Sequence, residues 1–129
     1  MTVDRNALAD LGVYLAAKSP DAILDHDVAF DELTIVVRRE QIVPILKLLR
    51  VDGRCKFEVL IDICGVDWPG REDRFDVVYH LLSPVLNNRI RVKVHTNEED
   101  PVESAVGVFP AANWFEREAY DMYGILFSG

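Results

Sequence analysis

Apolar residues recur along this chain with two spacings, one near the helical 3.6 and one of two. Between Ala7 and Lys18, Leu8, Leu11 and Leu15 fall on one helical face, and Pro20 marks the end of that helix. Val28 to Arg38 reads as two strands joined by a tight turn near Asp31 and Glu32. A second helix follows, with Ile42, Ile45, Leu46 and Leu49 at helical spacing and Asp52-Gly53 as its stop. Pro44 lies in its first turn, where a missing N–H costs little.

Three strands come next. Phe57 to Cys64 places Phe57, Val59, Ile61 and Ile63 on one face. Trp68 to Asp73 has loop composition. Arg74 to Leu82 alternates again and predicts burial of Phe75, Val77, Tyr79 and Leu81. After a turn at Pro84 to Asn88, Arg89 to His95 alternates almost perfectly, basic outward and β-branched inward. The last third reads as helices. Asp100, Pro101 and Glu103 follow the order of an N-cap, an N1 proline and an N3 carboxylate. Asn113 and Glu116 repeat that logic at a final helix, whose stripe is Phe115, Ala119, Met122 and Leu126. In the same helix Arg117 and Asp121 are spaced to pair, and Gly124 fits a C′ stop. The order predicts an α+β domain over residues 1–129, with helices packed on one face of a mostly antiparallel or mixed sheet.

Composition narrows the function classes. The chain has 129 residues, half of them apolar, and a formal net charge of −8. That length suffices for a core without disulfides or metals. The negative balance argues against a nucleic-acid partner. Nothing approaches the roughly 18 uninterrupted apolar residues of a membrane-spanning helix, and Met1 to Leu15 lacks a signal-peptide core. Cys55 and Cys64 form no Cys-x-x-Cys, so both read as reduced and structural.

Candidate chemistry is sparse. No glycine loop of phosphate-binding type occurs, and His26, His80 and His95 lack metal-ligand spacing. Asp62 and Asp67, flanking Cys64-Gly65, are the best acid–base pair on offer, provided burial splits their pKa values. The plainer and stronger reading is that they cap turns and pair with Arg71 or Arg74. Arg89, Arg91, Lys93 and His95 form a basic stripe that would pair across strands, guard an edge strand or meet an anionic partner. Glu118 and Tyr120 are left without a task in the final helix, a surplus suggestive of an interface.

Several ordered motifs then point to one family. Asn113-Trp-Phe-Glu-Arg-Glu-Ala-Tyr-Asp-Met-Tyr-Gly-Ile-Leu-Phe resembles the signature of the 30-kDa-type (C-type) subunit of respiratory complex I, the proton-translocating NADH:quinone oxidoreductase. Asp62-Ile-Cys-Gly-Val-Asp-Trp-Pro, Arg74 to Ser83 and Asn88 to Val94 are similar to family segments in the same order. The resemblance runs from about Leu33 to the end.

It implies a non-catalytic subunit of the peripheral arm, binding no flavin, iron–sulfur cluster or quinone itself, beside the expectation from histidine and cysteine spacing that no metal is bound. NADH, FMN, the clusters and quinone would be used by other subunits. Expected partners are the large D-type subunit, which helps to form the quinone cavity, and neighbouring cluster-bearing subunits. The expected location is peripheral, without membrane insertion, on the cytoplasmic side of a bacterial inner membrane or the matrix side of a mitochondrial one. Glu116, Arg117, Glu118, Tyr120, Asp121 and Gly124 carry over as structural or interface residues. The family signature continues past Gly129 into a His-Pro segment, an Arg-Arg pair and a partner-embracing tail, so a C-terminally truncated form is expected. Related subunits occur in membrane-bound energy-converting hydrogenases and in the plastid and cyanobacterial complexes, which leaves the host complex open. A small acid–base enzyme using Asp62 and Asp67 is the remaining alternative.

Overall fold

A computed structural model describes residues 4–129; residues 1–3 of the expected domain lie outside the described part. The first helix, α1 (Arg5–Lys18), is capped by Asp4, whose carboxylate accepts from the Ala7 N–H at 3.0 Å. It buries Leu8, Leu11 and Leu15. Each leucine removed from water in this way stabilises the fold by roughly 1.5–3 kcal/mol.

The predicted hairpin is present as β1 (Ile23–Ala29) and β2 (Glu32–Val37). Its first strand begins earlier than Val28, and its two-residue turn is Phe30-Asp31, both with positive φ. Gln41 precedes α2 (Ile42–Val51), which buries the predicted Ile42, Ile45, Leu46 and Leu49. The meander consists of β3 (Val59–Asp67), β4 (Phe75–Ser83) and β5 (Asn88–Thr96).

These five strands form one sheet in the order β1-β2-β5-β4-β3. All neighbours are antiparallel except β2 and β5, which run parallel with Leu33 opposite Ile90. One face supplies the core through Leu33, Ile35, Ile63, Val77, Tyr79, Leu81, Ile90, Val92 and Val94. The mixed α+β architecture is thus as predicted.

Three local readings need correction. The ladder shifts between Leu60 and Asp62, so Leu60 and Ile63 point to the core while Val59 and Ile61 are exposed. A bulge adds one residue to a period-two pattern and inverts the alternation beyond it. Second, no helix starts at Asp100. Val102–Glu103 forms a short strand, β6, parallel to β7 (Phe127–Ser128). The N–H groups of Val102 and Ser104 donate to Leu126 O and Ser128 O, at 2.8 and 2.7 Å. This pairing across the chain outcompetes the local capping pattern. Third, β5 is an interior strand, which removes an edge-guarding role for its basic stripe. Instead Arg91 pairs with Glu32 at 2.8 Å and His95 with Asp76 at 2.5 Å.

Where α1 and α2 end, Asp52 ties them together. Its buried carboxylate accepts from Tyr14 Oη at 2.8 Å, Lys18 Nζ at 2.6 Å and the Arg54 N–H at 2.8 Å. Burial alone would raise its pKa, but these donors, Lys18 foremost, outweigh burial and hold it at about 2. A carboxyl depressed in the folded state stabilises the protein above its unfolded pKa, and that contribution is lost as pH falls through the folded value. Acid titration of stability should therefore show a loss of about 2 kcal/mol from this group between roughly pH 4 and pH 2. Asp52→Asn is expected to flatten that part of the profile, measured by urea unfolding at each pH. An unchanged profile would rule the network out as the acid-sensitive element.

Candidate docking surface

The final helix, α3 (Ala112–Tyr123), is positioned from both ends. Ahead of it, Ala105, Val108 and Phe109 are buried and anchor the approaching chain. Arg50 reinforces this anchor by donating to Val108 O and lying over the Phe109 ring. At the far end Gly124 adopts φ +73°, and its N–H donates to Tyr120 O at 2.8 Å, stopping the helix as predicted. Tyr123 then packs on β3 at Gly65, where an added Cβ would lie 2.6 Å from the tyrosine ring. The Tyr123 ring also meets Phe75, with centroids 6.3 Å apart.

The buried side of α3 is rotated from the predicted stripe. Ala112, Glu116 and Ala119 are buried, with Phe115 and Tyr123 partly so. Met122 is 71% exposed, and Leu126 lies beyond the helix. Ala111, not Asn113, occupies the N-cap, and no side chain caps this helix. Glu116 is correspondingly no capping partner. Its carboxylate accepts from Ser104 Oγ at 2.7 Å and from the Ala105 N–H at 2.8 Å, so it braces the chain before the helix from inside. The predicted Arg117–Asp121 pair does not occur among the ion pairs of the described residues.

Of the six signature residues, Glu116 is internal and Gly124 shapes the stop, while Arg117, Glu118, Tyr120 and Asp121 are exposed. Trp114, at 64% exposure, joins them beside Tyr120 at 54%. Arg117 and Tyr120 also line an open cleft of about 440 Å³ between α3 and the β6–β7 pair, with Ser104, Asn113, Leu126 and Phe127. The helix thus presents aromatic, sulfur-containing and charged groups outward beside a concave surface, a composition suited to burial against another protein.

The acid–base alternative fails on geometry. Asp62 and Asp67 are an odd number of positions apart on β3, on opposite faces and about 16 Å apart along the strand. Arg74 grips Asp67 through two bonds, at 2.6 and 2.8 Å, and holds its carboxyl below the usual range. Asp62 instead meets His80 Nδ1 at 2.5 Å. The pairing of Asp67 with Arg74 is the plain reading anticipated above, and nothing brings the two carboxyl groups into one cleft.

Sequence spacing missed two clusters. Asp76 is buried and receives Arg71 Nη2 at 2.5 Å, Trp68 Nε1 at 3.0 Å and His95, which pins the Trp68–Arg74 loop to the sheet. Burial would raise its pKa; Arg71 and then His95 reverse the direction and lower it. The second cluster is Asp62, Cys64 and His80. Both clusters depend on the register between β4 and its neighbours, which no single segment encodes. The two cysteines also differ. Cys55 is buried, and burial above all pushes its thiol up to about 12. Cys64 is exposed, and its thiol is raised by partial burial, then by Asp62 and Glu118.

Comparison with known proteins agrees with this fold. Residues 35–129 match the family described as respiratory-chain NADH dehydrogenase, 30 Kd subunit. The chain is 52% identical over 126 residues to the C-type subunit of the NADH-quinone oxidoreductase of Hyphomonas neptunium, covering 98% of this chain and 62% of that protein. It is 59% identical over 123 residues to the corresponding subunit of a Methylobacterium species, covering 95% and 57%. Among solved structures, it superposes with a TM-score of 0.78 and 25% identity on a chain of the membrane-bound sulfane sulfur reductase, an archaeal respiratory membrane complex. That match covers 94% of this chain and 70% of the other. The chain spans between 57% and 62% of the length of these curated relatives. With the matched region running from β2 through the meander to α3 and β7, the chain belongs to the respiratory-chain NADH dehydrogenase 30 Kd subunit family.

Proposed function

We propose that residues 1–129 act as one domain of a non-catalytic assembly subunit in the peripheral arm of a proton-translocating NADH:quinone oxidoreductase. In this reading the chain docks on the large D-type subunit, beside the quinone site, and on neighbouring cluster-bearing subunits. NADH, FMN, iron–sulfur clusters and quinone are handled by those neighbours. The observation that carries the reading is the outer side of α3, where Trp114, Arg117, Glu118, Tyr120, Asp121 and Met122 are exposed. A helix needs no such outward groups for its own packing, whereas an interface uses them.

The location we propose is peripheral, on the cytoplasmic side of a bacterial inner membrane or the matrix side of a mitochondrial one. In support, no helix among the described residues is long and apolar enough to cross a membrane. The scaffold is also that of a chain in the archaeal sulfane sulfur reductase, so a respiratory membrane complex other than the NADH:quinone enzyme is a second host to consider, beside the energy-converting hydrogenase weighed above. Identity above 50% to C-type subunits of NADH-quinone oxidoreductases, against 25% to that chain, favours the NADH:quinone host.

Pull-down of the purified D-type subunit with the chain tests the proposal. The chain is expected to retain that subunit and to oxidise no NADH unaided. Glu118→Ala should weaken retention roughly tenfold while leaving unfolding unchanged, because an exposed interface residue acts on binding rather than folding. NADH oxidation by the chain alone, or equal losses of binding and stability in the variant, would overturn the reading.

A further inference from the structure

On the sheet face opposite the core, three ligand-type side chains meet across two strands. Asp62 and Cys64 are alternate residues of β3 and therefore project to the same side. The register sets His80 of β4 directly opposite Asp62, and Val78 opposite Cys64. One carboxylate oxygen, the thiol sulfur and one imidazole nitrogen all lie within 4.8 Å of one another.

We propose that Asp62, Cys64 and His80 bind one borderline-soft divalent cation, with Zn²⁺ as the best match. The donor set decides the class. Thiolate and imidazole select zinc and its neighbours over Mg²⁺ or Ca²⁺, which prefer all-oxygen cages. The placement suits zinc as well, because two alternate positions on one strand and a cross-strand neighbour aim three donors at one point from rigid backbone.

At Zn–ligand lengths of about 2.0–2.3 Å, tetrahedral donors sit roughly 3.3–3.7 Å apart. The trio thus needs only side-chain rotations, in which Asp62 and His80 separate slightly and Cys64 closes in. A thiolate and a carboxylate neutralise the charge of the ion. Three protein ligands leave a fourth position for water or for a group from a docked protein. Without the ion, the bond between His80 and Asp62 satisfies the same atoms, so the site is compatible with an apo form. Cys55 is buried in the core and cannot contribute. The donor set is the same whichever complex the chain serves.

The test is titration of the reduced, metal-free chain with Co²⁺, then with Zn²⁺. One Co²⁺ per chain is expected, with a thiolate-to-cobalt absorption band that Zn²⁺ abolishes by displacement. Cys64→Ser should remove the band and weaken Zn²⁺ binding at least roughly 100-fold, and His80→Asn and Asp62→Asn should each weaken it about 10- to 100-fold. Cys55→Ala should keep both band and stoichiometry. Far-ultraviolet circular dichroism verifies that each variant is folded, which is expected of the three ligand variants because Asp62, Cys64 and His80 lie outside the core. Absence of a thiolate band at saturating Co²⁺, or parental Zn²⁺ affinity in folded Cys64→Ser, would overturn the site.

Discussion

Glu116→Ala is expected to destabilise the protein by about 3 kcal/mol and to loosen the chain from Ser104 to Phe109. The estimate follows from what the buried carboxylate holds. Ser104 Oγ and the Ala105 N–H both donate to it, and the second bond is fully buried. Hydrogen bonds to a charged acceptor contribute roughly 1.5–3 kcal/mol each, and a buried donor stripped of its partner loses about 1–3 kcal/mol. The truncated side chain also leaves space against the core. Glu116→Gln separates shape from charge. Its amide oxygen can accept from the Ala105 N–H while its NH₂ donates to Ser104 Oγ, so a loss of only about 1 kcal/mol is expected. Urea unfolding of both variants, with hydrogen exchange at Ala105, reads the result. Equal losses for Gln and Ala would show that charge, not the pair of bonds, is what matters.

The second large effect is expected at Gly65. A Cβ there would lie 2.6 Å from Tyr123 Cδ2 and 3.0 Å from Ile125 Cδ1. Both partners are fixed, the first by its ring and the second by complete burial. Gly65→Val should therefore cost about 3 kcal/mol, at the upper end for overpacking, and push the end of α3 away from β3. Pairing it with Tyr123→Ala provides an internal control. If the clash is the cause, the double variant will be more stable than the sum of the two single losses predicts. Strict additivity in thermal or urea unfolding would exclude that contact as the source.

The relation between sequence and structure divides by the range of the interactions. In β4 and β5 the alternation is continuous and the strands are interior, so Phe75, Val77, Tyr79, Leu81, Ile90, Val92 and Val94 were all legible as core. Strand β3 was legible as a strand but not in its facing, because the irregularity between Leu60 and Asp62 leaves no local mark. Asp100-Pro101-Val102-Glu103 satisfies a helix-start pattern, yet its backbone is claimed by residues near the end of the chain. Glu116 shows the same competition, since a position ideal for capping within the helix is used for a bond to Ser104, twelve residues earlier. Of the outward residues of α3, only Glu118 and Tyr120 were legible as surplus; spacing assigned Met122 to the buried stripe and Arg117 and Asp121 to a pair, because the rotation of the helix on the sheet is set by distant contacts. The grouping of Asp62, Cys64 and His80 was not legible, because it exists only in the pairing of β3 with β4.

The parallel contact between β2 and β5 also has a temporal side. Glu32 and Arg91, which form an ion pair across it, are 59 residues apart. Loop closure over that distance makes this pairing a late step, after the local hairpins. During synthesis at about 5–20 residues per second, several seconds separate the emergence of the two strands from the ribosome. For that interval one side of β2 has an unpaired backbone, and its Leu33, Ile35 and Val37 await their final cover. The nascent first hairpin therefore offers other chains an open strand edge until β5 arrives.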